Sequence, residues 1–257
     1  MKFLTVCIPT YEMMGFGEKF LKHNFDILKE QTFKNFEVII SDHSKTDLIE
    51  NLCEQYKNLL DIKYFKNNEN RGSSSANINN AIKNAKGKLI KIIFQDDFLY
   101  EKKSLEKIVN NFDFKKDNWL ITACEHTVDG VNYYRPFYPK YHDKIHLSRN
   151  TISSPSALTI KNENPLLFDE NLIWAMDCDY YKRCYDKFGE PKILNEINVV
   201  NRAGTHQVSN TIVNEVLQEK EYKYLLKKYN IKHAWALIIL RKAKNITKRF
   251  KKLFKKI

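Results

Sequence analysis

Glycine is scarce in this chain, seven in 257 residues, and neither GxxxxGK[ST] nor GxGxxG occurs. A phosphate cradle of glycine-rich backbone is thereby excluded, so any phosphate must be held by a metal, basic side chains or a helix N-terminus. Cysteine occurs five times (Cys7, Cys53, Cys124, Cys178, Cys184) and never as a CxxC pair. That odd, scattered set argues against a zinc site or a disulfide framework and fits reduced thiols in a reducing compartment. No apolar run approaches the length of a membrane-spanning helix. The opening MKFLTVCIPTY begins like a signal peptide, but its apolar run stops at Pro9 without a small-residue cleavage site, so it reads as a first strand. A cytoplasmic location is expected.

What is present is a globular composition, 43% hydrophobic and 13% aromatic, enough for one large domain with or without an appendage. The net charge is +12, yet residues 241–257 carry nine Lys or Arg and no acid, which leaves the rest at +3. The basicity therefore belongs to a tail and not to the fold. That distribution argues against a nucleic-acid-binding surface.

The first hundred residues alternate short apolar runs with helical patterns, the mark of βαβ units and a mainly parallel sheet. Strands are predicted at Leu4–Ile8, Glu37–Ser41, Ile62–Phe65 and Leu89–Phe94, with helices at Glu18–Glu30, Leu48–Tyr56 and Ser74–Ala85. Gly87 reads as the C-cap of the third helix. Each strand runs into a polar cluster, and in open parallel sheets ligands bind beyond the strands' carboxyl ends. Past residue 120 the pattern loosens: strands near Leu120–Cys124, Ala157–Ile160 and Ile197–Val200, a Tyr/Pro-rich stretch at 133–141, and helices near Asp177–Phe188 and 212–228.

Gln95-Asp96-Asp97 follows the apolar strand directly. Adjacent carboxylates at a strand end are costly without compensation, and a divalent cation bound to a diphosphate would supply it. Cys7-Ile8-Pro9-Thr10-Tyr11-Glu12 ends the first strand and Ile40-Ser41-Asp42-His43-Ser44 the second. Asn70-Arg71-Gly72 with Asn77 comes next, before the acid pair. Four such segments in this order resemble glycosyltransferase family 2, well over residues 3–100 and more loosely to about 210.

The resemblance implies an inverting glycosyltransferase with an α/β GT-A fold, moving a sugar from a UDP-sugar to a hydroxyl of a glycan or lipid-linked saccharide, with Mn²⁺ or Mg²⁺. It implies a nucleotide-binding half over 1–100, an acceptor-binding and catalytic half over 101–215, and C-terminal helices with a basic tail over 216–257. By resemblance Pro9, Thr10 and Tyr11 line the base pocket, and Asp42 accepts from the uracil imide. Glu12 and Asn77 join the donor site. Asp96 meets ribose or metal, and Asp97 is the direct metal ligand. Trp174-Ala-Met-Asp177-Cys-Asp179 resembles the family's later acidic segment and makes Asp177 the catalytic base. Arg202-Ala-Gly-Thr-His206 resembles the late segment whose histidine completes the metal shell. His43, His126, His142 and His146 read as ordinary histidines. A nucleotidyltransferase would also use an acid pair, but the Gly/Arg/Lys-rich signature expected after its first strand is missing.

In the tail, Ile246, Phe250, Leu253, Phe254 and Ile257 recur at helical spacing with the lysines mostly opposite. This pattern predicts an interfacial helix that would hold the protein peripherally on an anionic membrane, at its cytoplasmic face. The composition and the resemblance together point to bacterial surface-glycan assembly, such as lipooligosaccharide or capsule.

Overall fold

A computed structural model describes residues 2–232. They divide into two compact units, one ending at Val213 and one beginning at Asn214. Strands β1 (Leu4–Thr10), β2 (Phe36–Asp42), β3 (Ile62–Lys66) and β4 (Leu89–Ile92) are joined by helices α1 (Gly17–Lys29), α2 (Leu48–Tyr56) and α3 (Ser74–Asn84). Then come β5 (Phe98–Leu99), α4 (Ser104–Asn111), β6 (Trp119–Thr127), β7 (Tyr133–Phe137), β8 (Leu158–Lys161), α5 (Met176–Phe188), β9 (Lys192–Arg202) and the short α6 (Val208–Thr211).

Among the described residues these strands form one sheet in the order β3-β2-β1-β4-β8-β6-β9-β5, with β7 paired to β6. The four strands from β3 to β4 are parallel neighbours. Beyond β4, antiparallel pairing enters through β8. Every residue of β1 and β2 is buried, as expected of parallel strands covered on both faces. Helix α3 packs on β1 and β2 and starts at Ser73, whose side chain accepts from the Ala76 N–H. This mixed α/β sheet is a GT-A architecture.

Three sequence expectations shift. Gly87 does not cap α3, which closes at Ala85. It sits instead where a Cβ would come within 2.6 Å of the Leu4 carbonyl carbon and the Thr5 nitrogen, so glycine lets β4 enter beside β1. The helix expected over 212–228 is α7 (Glu215–Lys228), starting three residues later and preceded by the separate short α6. Asn214, extended, accepts from the Leu217 N–H and starts α7 afresh. The Tyr/Pro stretch contains the edge strand β7, where Pro136 removes one donor, a loss tolerated on an edge.

In the second unit α7 carries Glu215 in its first turn and Lys227 and Lys228 in its last, matching its macrodipole. Among the described residues no helix is long and apolar enough to cross a membrane. The interfacial helix predicted from Ile246 to Ile257 lies outside the described residues.

Candidate active site

A cleft of about 810 Å³ opens beyond the carboxyl ends of β1, β2 and β4. The register sets Pro9 beside Ser41 and Thr10 beside Asp42, so the first two polar clusters arrive together. Of the residues singled out from sequence, Pro9, Tyr11, Glu12, Asn77, Asp96, Asp97 and Asp177 line this one cleft. Thr10, Asp42 and His206 do not.

Asp42 departs most from expectation. It is fully buried. One carboxylate oxygen accepts from Thr10 Oγ1 (3.0 Å), the Ser44 N–H (3.0 Å) and Ser44 Oγ (2.6 Å). The other accepts from the Tyr64 hydroxyl (2.8 Å) and lies 3.5 Å from Lys66 Nζ. Five donors surround it, so it ties β1, β2 and β3 together. Thr10 is buried with it. Pro9, Tyr11, His43 and Arg71 line the cleft beside them. His43 faces the Glu69 carbonyl through Nε2 at 3.1 Å, and burial holds its pKa below the usual histidine value. Glu12, where the family usually has Asn, accepts from the Lys45 N–H and so joins the loops after β1 and β2. Asn77 donates to the Thr10 carbonyl (3.0 Å) and accepts from Ser41 Oγ (2.7 Å).

The segment Gln95-Asp96-Asp97 divides its work. Gln95 accepts from the Tyr11 N–H (2.9 Å) and donates to the Gly17 carbonyl (2.8 Å). An aspartate could not do both, which accounts for the amide at this position. Asp97 is buried, with one oxygen accepting from the Arg202 N–H (3.1 Å) and the other from Ser154 Oγ (3.0 Å). Burial and then the neighbouring Asp96 raise its pKa. Beneath it Lys91 of β4 is fully buried, its Nζ donating to the Ser156 carbonyl. Burial pushes the Lys91 pKa down to about 7, opposed by the charge of Asp97. The hydrogen bonds to Asp97 offset only part of the cost of its burial.

Asp96 is the acid of this pair that keeps an open carboxylate at the cleft. Behind it lies His206, buried, with Nε2 3.2 Å from Asp96 Oδ2 but in no hydrogen bond among the described residues. The imidazole is wedged 4.7 Å from the Phe20 ring, and a Cβ on Gly204 would strike it at 2.6 Å. An orphaned buried nitrogen facing a carboxylate suits a divalent cation better than it suits a lone ion pair. No cluster of three or more His, Cys, Asp or Glu ligands exists among the described residues. Asp96 thus presents the more open carboxylate at the cleft, with His206 behind it, while Asp97 is held in the frame beside it. Arg202 completes the frame: its guanidinium lies 4.7 Å over Phe20 and 5.2 Å from Phe98, and its Nε donates to the Asp96 carbonyl.

Asp177 stands in the first turn of α5, where the helix dipole favours an acid. Asn150 Nδ2 donates to one of its oxygens (2.6 Å) and the Cys178 N–H to the other (2.6 Å). Burial nevertheless raises its pKa to about 6. Asp179, two residues on, is fully buried and paired with Arg183 at 2.7 Å, away from the cleft.

His43, His126, Arg71, Arg135 and Trp174, to which the sequence gives no site role of their own, also line the cleft. Lys91 did leave a signal, a lone lysine in the apolar run Leu89–Phe94.

Sequence comparison matches Glycosyl transferase family 2 over residues 5–162, more than half of the chain. An uncharacterised glycosyltransferase of Methanocaldococcus jannaschii is 26% identical over 243 residues, covering 90% of this chain and 79% of its own. The poly(ribitol-phosphate) β-N-acetylglucosaminyltransferase TarS of Staphylococcus aureus is 25% identical over 220 residues, and the chain spans 37% of its length. The structure of TarS residues 1–349 with UDP-GlcNAc superposes with a TM-score of 0.64 at 20% identity, covering 88% of this chain and 72% of that one. A mannosyltransferase from Pyrobaculum calidifontis, solved with GDP-Man and Mn²⁺, superposes with 0.61 at 14% identity, covering 91% and 69%. With the ordered motifs, the sheet and the acid-lined cleft, these matches establish that the chain belongs to glycosyltransferase family 2 and is a glycosyltransferase.

Proposed function

We propose that the protein transfers a sugar from a UDP-sugar to a hydroxyl of a saccharide acceptor, with inversion at the anomeric carbon. The observation that carries this reading is the pair Asp96 and Asp177, two acids of different character in one cleft. Asp96, backed by His206, is open to a cation. Asp177, held by Asn150 and shifted upward by burial, is poised to accept a proton. Asp96 and His206 would hold Mn²⁺ or Mg²⁺, which as a Lewis acid offsets the charge of a departing diphosphate. The nucleobase stacks over Pro9 and Tyr11, with His43 and Arg71 at its polar edge. Asp177 takes the proton of the attacking hydroxyl, and the dipole of α5 holds the carboxylate in place. Buried Asp97 and Lys91 keep the Asp96 backbone from moving as charge builds. The complex of TarS with UDP-GlcNAc supports uridine as the base, and the Mn²⁺ of the mannosyltransferase supports the metal.

We also place the enzyme peripherally on the cytoplasmic face of a membrane, on the sequence of residues 241–257 alone. Flotation with anionic liposomes tests this: binding should vanish in high salt or on truncation after Leu240. The catalytic reading is tested by UDP, CDP and GDP release from a panel of nucleotide sugars with Mn²⁺. UDP-sugars should be turned over at least tenfold faster than GDP- or CDP-sugars, and a preference for GDP-sugars would overturn the donor class.

A further inference from the structure

Arg135 is a cation that the account of donor binding leaves unused. It lies in β7 and lines the cleft together with Tyr134 and His126. Its backbone is unusual. Arg135 has φ +59° and is followed by Pro136, a neighbour that pushes the preceding residue towards extended conformations. Cys124 pairs with Phe137 and His126 with Tyr134, so β7 spends one more residue than β6 between the two pairings. Arg135 and Pro136 therefore form a bulge. Bulges re-aim side chains, and left-handed non-glycine residues persist where the surroundings over-determine them. Here the determinant is visible: His126 Nδ1 lies 2.9 Å from the Arg135 carbonyl and pins the bulge.

The direction matters because of where β7 sits. It is attached to β6, which is separated from β1 by β4 and β8. Three strand spacings put β6 about 14 Å from the strand whose end bears Pro9. Arg135, on β7, therefore lines the cleft from beyond β6, away from the strand end that bears Pro9. Among the described residues no carboxylate lies within 4 Å of its guanidinium. An arginine held at a cleft by a strained bulge, without an acid to pair with, is a recognition group for an oxyanion.

We propose that Arg135 selects an acceptor saccharide bearing an anionic group, phosphate or carboxylate, and that Tyr134 beside it stacks on the sugar ring. This rests on the reading of the cleft as a joint donor and acceptor site. It is tested by titrating the UDP- and Mn²⁺-loaded full chain with glucose, glucose 6-phosphate and glucuronic acid, followed by saturation-transfer NMR. One or both anionic sugars should bind at least tenfold more tightly than glucose, and the stronger of the two identifies the anion as phosphate or carboxylate. Arg135→Gln should erase that preference, Arg135→Lys should retain part of it, and both variants should keep wild-type melting temperature and UDP affinity. Equal binding of the three sugars, or none, overturns the proposal, as does a loss of UDP affinity in Arg135→Gln, which would assign the cation to the donor. Failure of the glycosyltransferase reading would look different, since the wild type itself would then not bind UDP.

Discussion

The two halves of the cleft use their polar residues in opposite ways. On the nucleotide side Thr10, Asp42, Asn77, Gln95 and Asp97 are buried, and their hydrogen bonds go to neighbouring strands and loops. Elsewhere Asp177 from the first turn of α5, His126 from β6 and Arg135 from the bulge in β7 line the cleft. The difference teaches that the most legible motifs of this chain are largely joinery. They fix where β1, β2 and β4 end, and many of the other side chains lining the cleft come from residues beside them or far along the chain.

The largest break in this comparison should come from Asp177. Asp177→Asn keeps the fold and the nucleotide wall but removes the proton acceptor, so kcat should fall about 10²–10⁴-fold with UDP affinity unchanged. Full activity in that variant would remove Asp177 from the mechanism. In the wild type the rate should fall as pH drops through about 6, where this carboxylate takes up its proton.

Asp42 should behave as a structural residue. Asp42→Ala strands the hydroxyls of Thr10, Ser44 and Tyr64 and the Lys66 ammonium, and should cost about 3 kcal/mol of stability in denaturant titrations. The UDP-over-CDP preference of whatever folds should stay intact. A stable Asp42→Ala protein with lost base selectivity would return Asp42 to the base pocket.

A smaller effect follows from linkage at Asp177. Its folded pKa of about 6 is above the usual aspartate value near 3.9, so its contribution to stability is present below about pH 4 and lost as pH rises through 6. A full two-unit shift would correspond to about 3 kcal/mol, which partial exposure and the Asn150 bond reduce to about 1. Asp177→Asn should therefore be more stable than wild type at pH 7.5 by about 1 kcal/mol, with the gain gone at pH 4. Such a gain alongside lost turnover is the signature of a functional residue kept at a cost to stability.

Much of this was readable in the sequence. The apolar runs of β1, β2 and β4 and the helical patterns of α1 to α3 fixed the parallel half, because long buried strands leave continuous hydrophobic signals. The mixed half was less legible, since β5 has two residues and β7 interrupts itself with Pro136. Side-chain direction was beyond reach. Asp96 and Asp97 are equivalent as letters, and only the tertiary positions of Ser154, Arg202 and His206 decide which is buried and which faces the cleft. The burial of Asp42 was likewise illegible, because its five donors come from four other residues, Tyr64 and Lys66 among them, that only folding brings together.

The central claim, that Asp96 serves the chemistry and Asp97 the scaffold, is tested most directly by one paired measurement. UDP affinity would be titrated with and without Mn²⁺, and melting temperature recorded, for wild type, Asp96→Ala and Asp97→Ala. Mn²⁺ should tighten UDP binding by wild type at least tenfold, and Asp96→Ala should lose that effect while melting like wild type. Asp97→Ala should melt several degrees lower, because the buried Lys91 and the Arg202 N–H lose their acid. Equal UDP affinity with Mn²⁺ and with EDTA in the wild type, or a metal effect that survives Asp96→Ala and disappears in a fully stable Asp97→Ala, would contradict the account.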